Sequence, residues 1–199
     1  SPSKYIFLGS KGKKLAREIK DADIFYYTGI SAGILDANQK KDLIHIGSTA
    51  VICGFDFNYR SQLHNDKKVS QLLFQEISKN VDINFVSFDD VRELFDFKNP
   101  YEVFEILNNK KNLILVRYEN SIIFKNKQHE IKTVKVPHGE VVDTTAAGDA
   151  FNGSFLALIN NDENISIEEN ILKSHSVTRE VIKHKGAIIS NKNMPKINT

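Results

Sequence analysis

The stretch "VVDTTAAGDAFNGSF", residues 141–155, is the part of the chain from which its fold can be predicted. Two β-branched valines lead into an acid and two threonines. Three small residues and a second acid, Asp149, then precede an amphipathic segment. We predict a helix over 148–160, because four apolar residues recur on one of its faces: Phe151, Phe155, Leu158 and Ile159.

The start of this predicted helix has the features of an anion site. Small residues let a ligand approach the backbone closely, and the free N–H groups of a first helical turn attract negative charge. The sequence therefore predicts that a phosphate binds the N–H groups of four consecutive residues, which are Ala146, Ala147, Gly148 and Asp149.

A carboxylate among those donors needs an explanation, because it would repel a bound phosphate. Removing a proton from an attacking hydroxyl is a task that would justify Asp149 at this position. The N–H groups would then stabilise charge on the transferring phosphoryl group. The alternative is an acid that only complements the helix dipole.

Apolar and amphipathic runs alternate along the chain. Strands are predicted at 23–29, 50–58, 83–88, 112–118, 121–126 and 130–137. Helices are predicted at 36–47, 66–79, 89–95, 100–110, 148–160 and 166–185. Asp36 and Gln39 are spaced as a capping box. Strand–helix alternation of this kind indicates an α/β fold, a mostly parallel sheet flanked by helices.

Composition narrows the class of protein. The 199 residues are 41% hydrophobic and carry a net charge of +2, which does not favour a nucleic-acid partner. The single cysteine, Cys53, excludes an internal disulfide and is expected to be a buried, inert thiol. No apolar run approaches the roughly 20 residues of a membrane span, and no signal-peptide pattern begins the chain. We expect a cytoplasmic protein without membrane contact, and a homo-oligomer is possible.

Four motifs, in order, resemble a known family. "DTTAAGDAFNGSF" (143–155) resembles the C-terminal signature of the ribokinase-type carbohydrate kinases, and its alanine at 146 is familiar in the 2-keto-3-deoxygluconate (KDG) kinases, or 2-dehydro-3-deoxygluconokinases. "FDFNYRSQL" (55–63) is similar to a second pattern of that branch. "YYTGISAGIL" (26–35) resembles the sugar-site strand and turn, and "HKGAIISNKNMP" (184–195) the closing segment.

This resemblance implies an ATP-dependent kinase for a small-molecule sugar acid, with ATP and Mg²⁺ required. Asp149 would be the catalytic base, and the backbone of 146–149 the anion hole. Arg60 would meet the sugar-acid carboxylate, which its planar guanidinium matches in two hydrogen bonds. Asn58 would line the substrate pocket. The alternative for Arg60 is an ordinary surface salt bridge.

The resemblance also implies nucleotide and metal contacts. Thr144 leads into the anion hole, and Arg117 begins the segment that replaces the nucleotide loop of the family. Asp90 holds the place of a family acid linked to Mg²⁺ and phosphate, and Asp56 would act on Mg²⁺ through water. The alternatives are helix capping by Asp90 and a structural turn acid at Asp56.

The sequence departs from the family at three places. The N-terminal third, which carries the lid, is not matched, so we expect one ribokinase-like domain over 1–199 that is N-terminally incomplete. Leu8 stands in place of an arginine. Residues 117–121 contain no glycine where the family has a Lys-x-Gly-x-x-Gly loop, and we expect Asn120 to adopt a left-handed conformation there. These departures favour one alternative, a non-catalytic relative that binds nucleotide or sugar. A kinase for another sugar, such as fructose or ribose, is a separate alternative, against which Arg60 argues.

Overall fold

In the computed structural model, residues 22–64, 66–107, 112–162, 164–190 and 192–195 are described. The predicted replacement at Leu8 lies outside these residues. Within them, six strands form one sheet in chain order. The strands are β1 (Ile24–Thr28), β2 (Ile52–Asp56), β3 (Ile83–Ser87), β4 (Leu113–Tyr118), β5 (Ser121–Lys125) and β6 (Ile131–Lys135).

The first four strands run parallel, as their sequence of strand–helix alternation predicted. Their register brings the carboxyl ends of neighbouring strands together. Thr28 of β1 lies beside Asp56 of β2, and Ser87 of β3 lies beside Arg117 of β4. Because open parallel sheets bind ligands at this edge, the pairing places polar side chains where a site is expected.

The four parallel strands are connected by helices, which makes the architecture α/β, as predicted. The helices are α1 (Gly29–Gly33), α2 (Ala37–Gly47), α3 (Lys67–Lys79), α4 (Phe88–Phe95), α5 (Glu102–Ile106), α6 (Ala147–Asn161) and α7 (Ile167–Val181), with a 3₁₀ turn at Ser61–Leu63. The predicted capping box of α2 is present. The carboxylate of Asp36 accepts the N–H of Gln39 at 3.0 Å, and the Gln39 side chain accepts the Asp36 N–H at 3.1 Å.

The turn between β4 and β5 differs from the expectation. The two connecting residues are Glu119 and Asn120, as predicted, but the left-handed residue is Glu119, with φ of 49°. Asn120 instead offers its carbonyl to the Val136 N–H at 2.9 Å. The turn therefore forms without glycine, at the cost of a positive φ in a residue that rarely adopts one.

The last helix ends sooner than predicted. We expected it to extend to residue 185, but α7 ends at Val181. The carbonyl of Ile182 accepts the N–H groups of Val142 and Asp143, at 2.8 and 3.0 Å, rather than a further helical N–H. This partner lies about 40 residues away in sequence, so a local pattern could not reveal it.

The described chain divides into two compact units. The first comprises 22–118 and 123–132 and has an aromatic core, in which Phe55, Phe57 and Phe74 are fully buried and in mutual ring contact. The second comprises 119–122 and 133–195, and in it α6 packs on α7. No helix in the described residues is both long and apolar enough to cross a membrane.

Candidate active site

The loop that precedes α6 is fixed by one carboxylate. Asp143 accepts the N–H and the hydroxyl of Thr145 through Oδ1, at 2.9 and 2.5 Å, and the N–H of Gly186 through Oδ2 at 2.9 Å. The Thr145 hydroxyl and the two N–H groups lower the pKa of Asp143 to about 2. This carboxylate therefore has a structural task and stays ionised at neutral pH.

The first turn of α6 begins without a side-chain cap. Ala146 is the N-cap residue and is buried, while Asp149 is exposed. The N–H of Ala147 already donates to the Thr144 carbonyl at 3.0 Å, so this N–H is not an open donor in the structure. The N–H groups of Ala146, Gly148 and Asp149 remain as the predicted donors for an anion.

A cavity of about 370 Å³ opens beside this turn, within the second unit. Its walls come from α6, α7 and the segment after α7, and most of its lining is apolar. Ala146 and Asp149 form the edge nearest the start of α6. The other lining residues are Ala150, Gly153, Ser154, Val177, Val181, Ala187, Ile188, Ile189 and Met194.

The first unit carries the second group of predicted site residues, at the carboxyl edge of the parallel strands. Asp56 is buried, with 3% of its surface exposed. It accepts the Tyr26 hydroxyl at 3.3 Å and the Asn58 N–H at 3.2 Å. Asn58 has a positive φ of 30°, which short polar side chains tolerate better than others do. Asp56 therefore orders the turn that follows β2.

Arg60 and Asp90 form an ion pair at the same edge. The Nη1 of Arg60 lies 3.2 Å from Oδ1 of Asp90 and also donates to the Tyr59 carbonyl at 2.6 Å. Burial raises the pKa of Asp90, and the negative charge of Asp56 adds to the rise. Arg60 and Arg117 oppose it. The salt bridge that the sequence offered as the alternative role of Arg60 is therefore present. It lies within a cluster of charged side chains that also includes Asp56 and Arg117.

The carboxylates of the first unit fit the predicted Mg²⁺ only in part. In the described residues no group of three or more His, Cys, Asp or Glu side chains is arranged to hold a metal. Mg²⁺ is commonly bound through one or two carboxylates together with waters and substrate phosphates. Asp56 and Asp90 fit such an indirect role and do not form a dedicated metal cage.

Asp90 does not cap helix α4, which was its alternative role. Ser87 is the N-cap residue of α4, and no side chain forms a cap hydrogen bond there. Asp90 lies in the first turn of this helix, where its charge complements the helix dipole, but it pairs with Arg60 across the loop.

Comparison with known proteins decides the family. The sequence profile of the pfkB family carbohydrate kinases matches residues 6–194. The chain belongs to the pfkB family of carbohydrate kinases. Two similar pfkB relatives are each named 2-dehydro-3-deoxygluconokinase. The one from Escherichia coli (strain K12) is 28% identical over 97% of this chain and 65% of its own length. The one from Haemophilus influenzae is 31% identical over 95% of this chain and 62% of its own.

The chain thus spans just under two thirds of the length of these two relatives. Among solved structures, a fructokinase with bound ATP from Xylella fastidiosa has a TM-score of 0.73 at 18% identity, over 90% of this chain and 60% of that one. An aminoimidazole riboside kinase from Salmonella enterica has a TM-score of 0.71 at 19% identity, over 87% and 60%. At these identities the likeness shows the ribokinase-like fold alone.

Several contacts and lining residues of the candidate site were not predicted from the sequence. The hydrogen bond from the Gly186 N–H to the Asp143 carboxylate joins residues 43 positions apart, and no local sequence pattern indicates it. Val177 and Val181, which line the cavity, have the i, i+4 spacing of one helix face. That spacing was visible, but it is equally typical of a helix that only packs on a core.

Proposed function

We propose that the protein is an ATP-dependent kinase that phosphorylates KDG at its 6-hydroxyl. Membership of the pfkB family supports the reaction class, and the names of the relatives support the sugar. The single observation that carries the proposal is the placement of Asp149, whose exposed carboxylate lies in the uncapped first turn of α6 at the edge of an apolar cavity.

The proposed chemistry follows from that placement. The carboxylate of Asp149 takes the proton of the sugar hydroxyl, and the hydroxyl oxygen forms a bond to the γ-phosphorus of ATP. The bond between that phosphorus and the β,γ-bridging oxygen breaks, and ADP leaves. The N–H groups of Ala146, Gly148 and Asp149 stabilise the negative charge of the transferring group.

The cavity beside α6 supports a nucleotide as the phosphate donor. Its lining is mostly apolar, and Ile188 is 91% exposed there, so a flat ring would cover surface that now faces water. A volume of about 370 Å³ lies within the usual range for small-molecule sites. With the base of ATP in this cavity, its phosphates would extend toward the start of α6. Arg117 and Thr144 remain predicted nucleotide contacts.

The charges at the carboxyl edge of the first unit support an acid sugar. The Arg60 side chain is 47% exposed, and both of its hydrogen bonds run through Nη1, which leaves the Nε and Nη2 donors for a carboxylate. Asn58 lies two residues away in sequence and is predicted to line the substrate pocket. A fructose or ribose kinase would have no carboxylate for Arg60 to bind.

Mg²⁺ is assigned only an indirect place. When bound with ATP, it would neutralise phosphate charge, and the carboxylates of Asp56 and Asp90 would hold its waters.

The test is the substitution Asp149→Asn, which keeps the size and the N–H group and removes the base. We expect kcat with ATP, Mg²⁺ and KDG to fall by roughly 10²–10⁴, the usual worth of general-base catalysis. ATP affinity should stay level or rise slightly, because a negative charge near the phosphates has gone. Asp162→Asn, at the other end of the same helix, is the matched control. A protein with Asp149→Asn that keeps most of its turnover would refute the mechanism, and wild-type protein that binds both ligands without turnover would indicate a binding relative.

A further inference from the structure

The ion pair between Arg60 and Asp90 bears on substrate choice. The guanidinium of Arg60 is about half exposed, whereas the Asp90 side chain is only 23% exposed. Asp90 is therefore the less hydrated partner, and its charge acts on Arg60 with weaker screening than a fully exposed acid would have.

The surrounding charges balance. Two carboxylates, Asp56 and Asp90, and two guanidiniums, Arg60 and Arg117, interact in one cluster. The formal charge of these four groups is zero. A substrate carboxylate that enters this cluster adds a third negative charge, so its attraction to Arg60 is offset by repulsion from Asp90.

We propose that Asp90 is a specificity-determining residue that partly neutralises Arg60 and thereby sets how strongly the site prefers an acid sugar over a neutral one. The inference rests on the proposed function, since it assumes that Arg60 meets the carboxylate of KDG. It assigns Asp90 a measurable effect on the binding of sugar alone, without nucleotide or metal.

The substitution Asp90→Asn isolates this effect. Asparagine keeps the size and an acceptor for Nη1 of Arg60, and it removes only the charge. We expect KDG to bind about three- to tenfold more tightly, the scale of one neighbouring charge removed at partial exposure. The neutral sugar 3-deoxyfructose, which carries a hydroxymethyl group in place of the KDG carboxylate, should bind within about twofold of its wild-type affinity.

Calorimetric titration of both sugars in Mg²⁺-free buffer measures these affinities. Asp89→Asn is the matched control, because Asp89 is the neighbouring acid of the same helical turn and pairs with Arg92 at 3.1 Å instead. It should change KDG affinity less than Asp90→Asn does. In an Arg60→Met background, the gain from Asp90→Asn should shrink, because the charge that Asp90 neutralises is gone.

The outcomes separate the two proposals. If Asp90→Asn weakens KDG binding, leaves it unchanged, or tightens both sugars equally, the role of Asp90 is refuted and the proposed function stands. If neither wild-type protein nor the Asp90→Asn protein binds KDG, the proposed substrate and the role of Asp90 both fail.

Discussion

Asp143 is a residue whose protonation state has a structural consequence. Its carboxylate connects the loop before α6 to Gly186, which follows α7. Because the pKa of Asp143 in the fold, about 2, lies below its ordinary value of 3.8, these hydrogen bonds contribute stability above pH 4. They are lost as the pH falls through about 2.

We predict that the amide protons of Thr145 and Gly186 titrate together by NMR, with a midpoint near pH 2. Both N–H groups donate to the same carboxylate, so its protonation alters both signals at once. In protein with Asp143→Asn the shared transition should disappear. A midpoint close to 3.8 would show that the three hydrogen bonds do not form in solution.

Two helical glycines should respond oppositely to alanine. A Cβ on Gly29 would lie 2.0 Å from the carbonyl oxygen of Phe57, so we expect Gly29→Ala to lower the free energy of unfolding by about 3 kcal/mol, the upper end for overpacking. A Cβ on Gly153 would meet no atom within 4 Å, and Gly153→Ala should raise it by about 0.5–1 kcal/mol through helix propensity. Denaturant unfolding measures both. Equal stability of wild type and Gly29→Ala would mean that the turn after β2 can move aside.

At the scale of the elements, sequence patterns predicted what is decided within a few residues. The capping box of Asp36 and Gln39 is local, and α2 begins where it was expected. The end of α7 depends on a distant partner, since the Ile182 carbonyl binds N–H groups of the loop before α6. The prediction for the turn after β4 was wrong for a related reason. Whether Glu119 or Asn120 adopts the positive φ depends on pairing beyond the turn, where the Asn120 carbonyl accepts the Val136 N–H.

Helix α6 offers a direct test of the cavity. Gly153 lies on its lining and has open space where a side chain would begin. We predict that the leucine side chain of Gly153→Leu fills part of the cavity and takes apolar contact surface from the nucleotide base. ATP binding should weaken at least about tenfold, which corresponds to about 1.4 kcal/mol. KDG affinity should not change.

Calorimetry with ATP and with KDG separates these effects, and Gly153→Ala serves as the control that adds only a methyl group. If the protein with Gly153→Leu binds ATP as wild type does, the nucleotide base does not lie in this cavity.

At the scale of the whole molecule, the predicted site residues fall in two compact units. Asn58, Arg60 and Asp90 belong to the first unit, and Thr144 and Asp149 belong to the second. The motifs and the family resemblance predicted these residues one at a time. The Arg60–Asp90 pair could not be predicted, because it joins two segments 30 residues apart whose spacing carries no pattern.

This division predicts that each ligand protects a different part of the chain from hydrogen exchange. KDG should slow exchange mainly at 57–64 and 88–95, because its carboxylate would bind Arg60, which pairs with Asp90 in the first turn of α4. ATP should slow it at 143–153 and 186–190, around the cavity. Mass spectrometry of peptic peptides measures both patterns. Protection by ATP confined to 57–64 would place the nucleotide elsewhere.

The reactivity of the buried Cys53 thiol can report transient opening of the protein. Cys53 is the single cysteine of the chain, lies in β2 between two parallel strands, and is 1% exposed. Burial, with a smaller contribution from Asp82, raises its pKa to about 12. A thiol reagent can therefore modify the protein only in molecules that have transiently opened around Cys53, whose Sγ lies against Gly47 of α2. The labelling rate at neutral pH then reports how often this opening occurs, without any introduced probe, and a ligand that binds only the closed form should slow labelling in proportion to its occupancy.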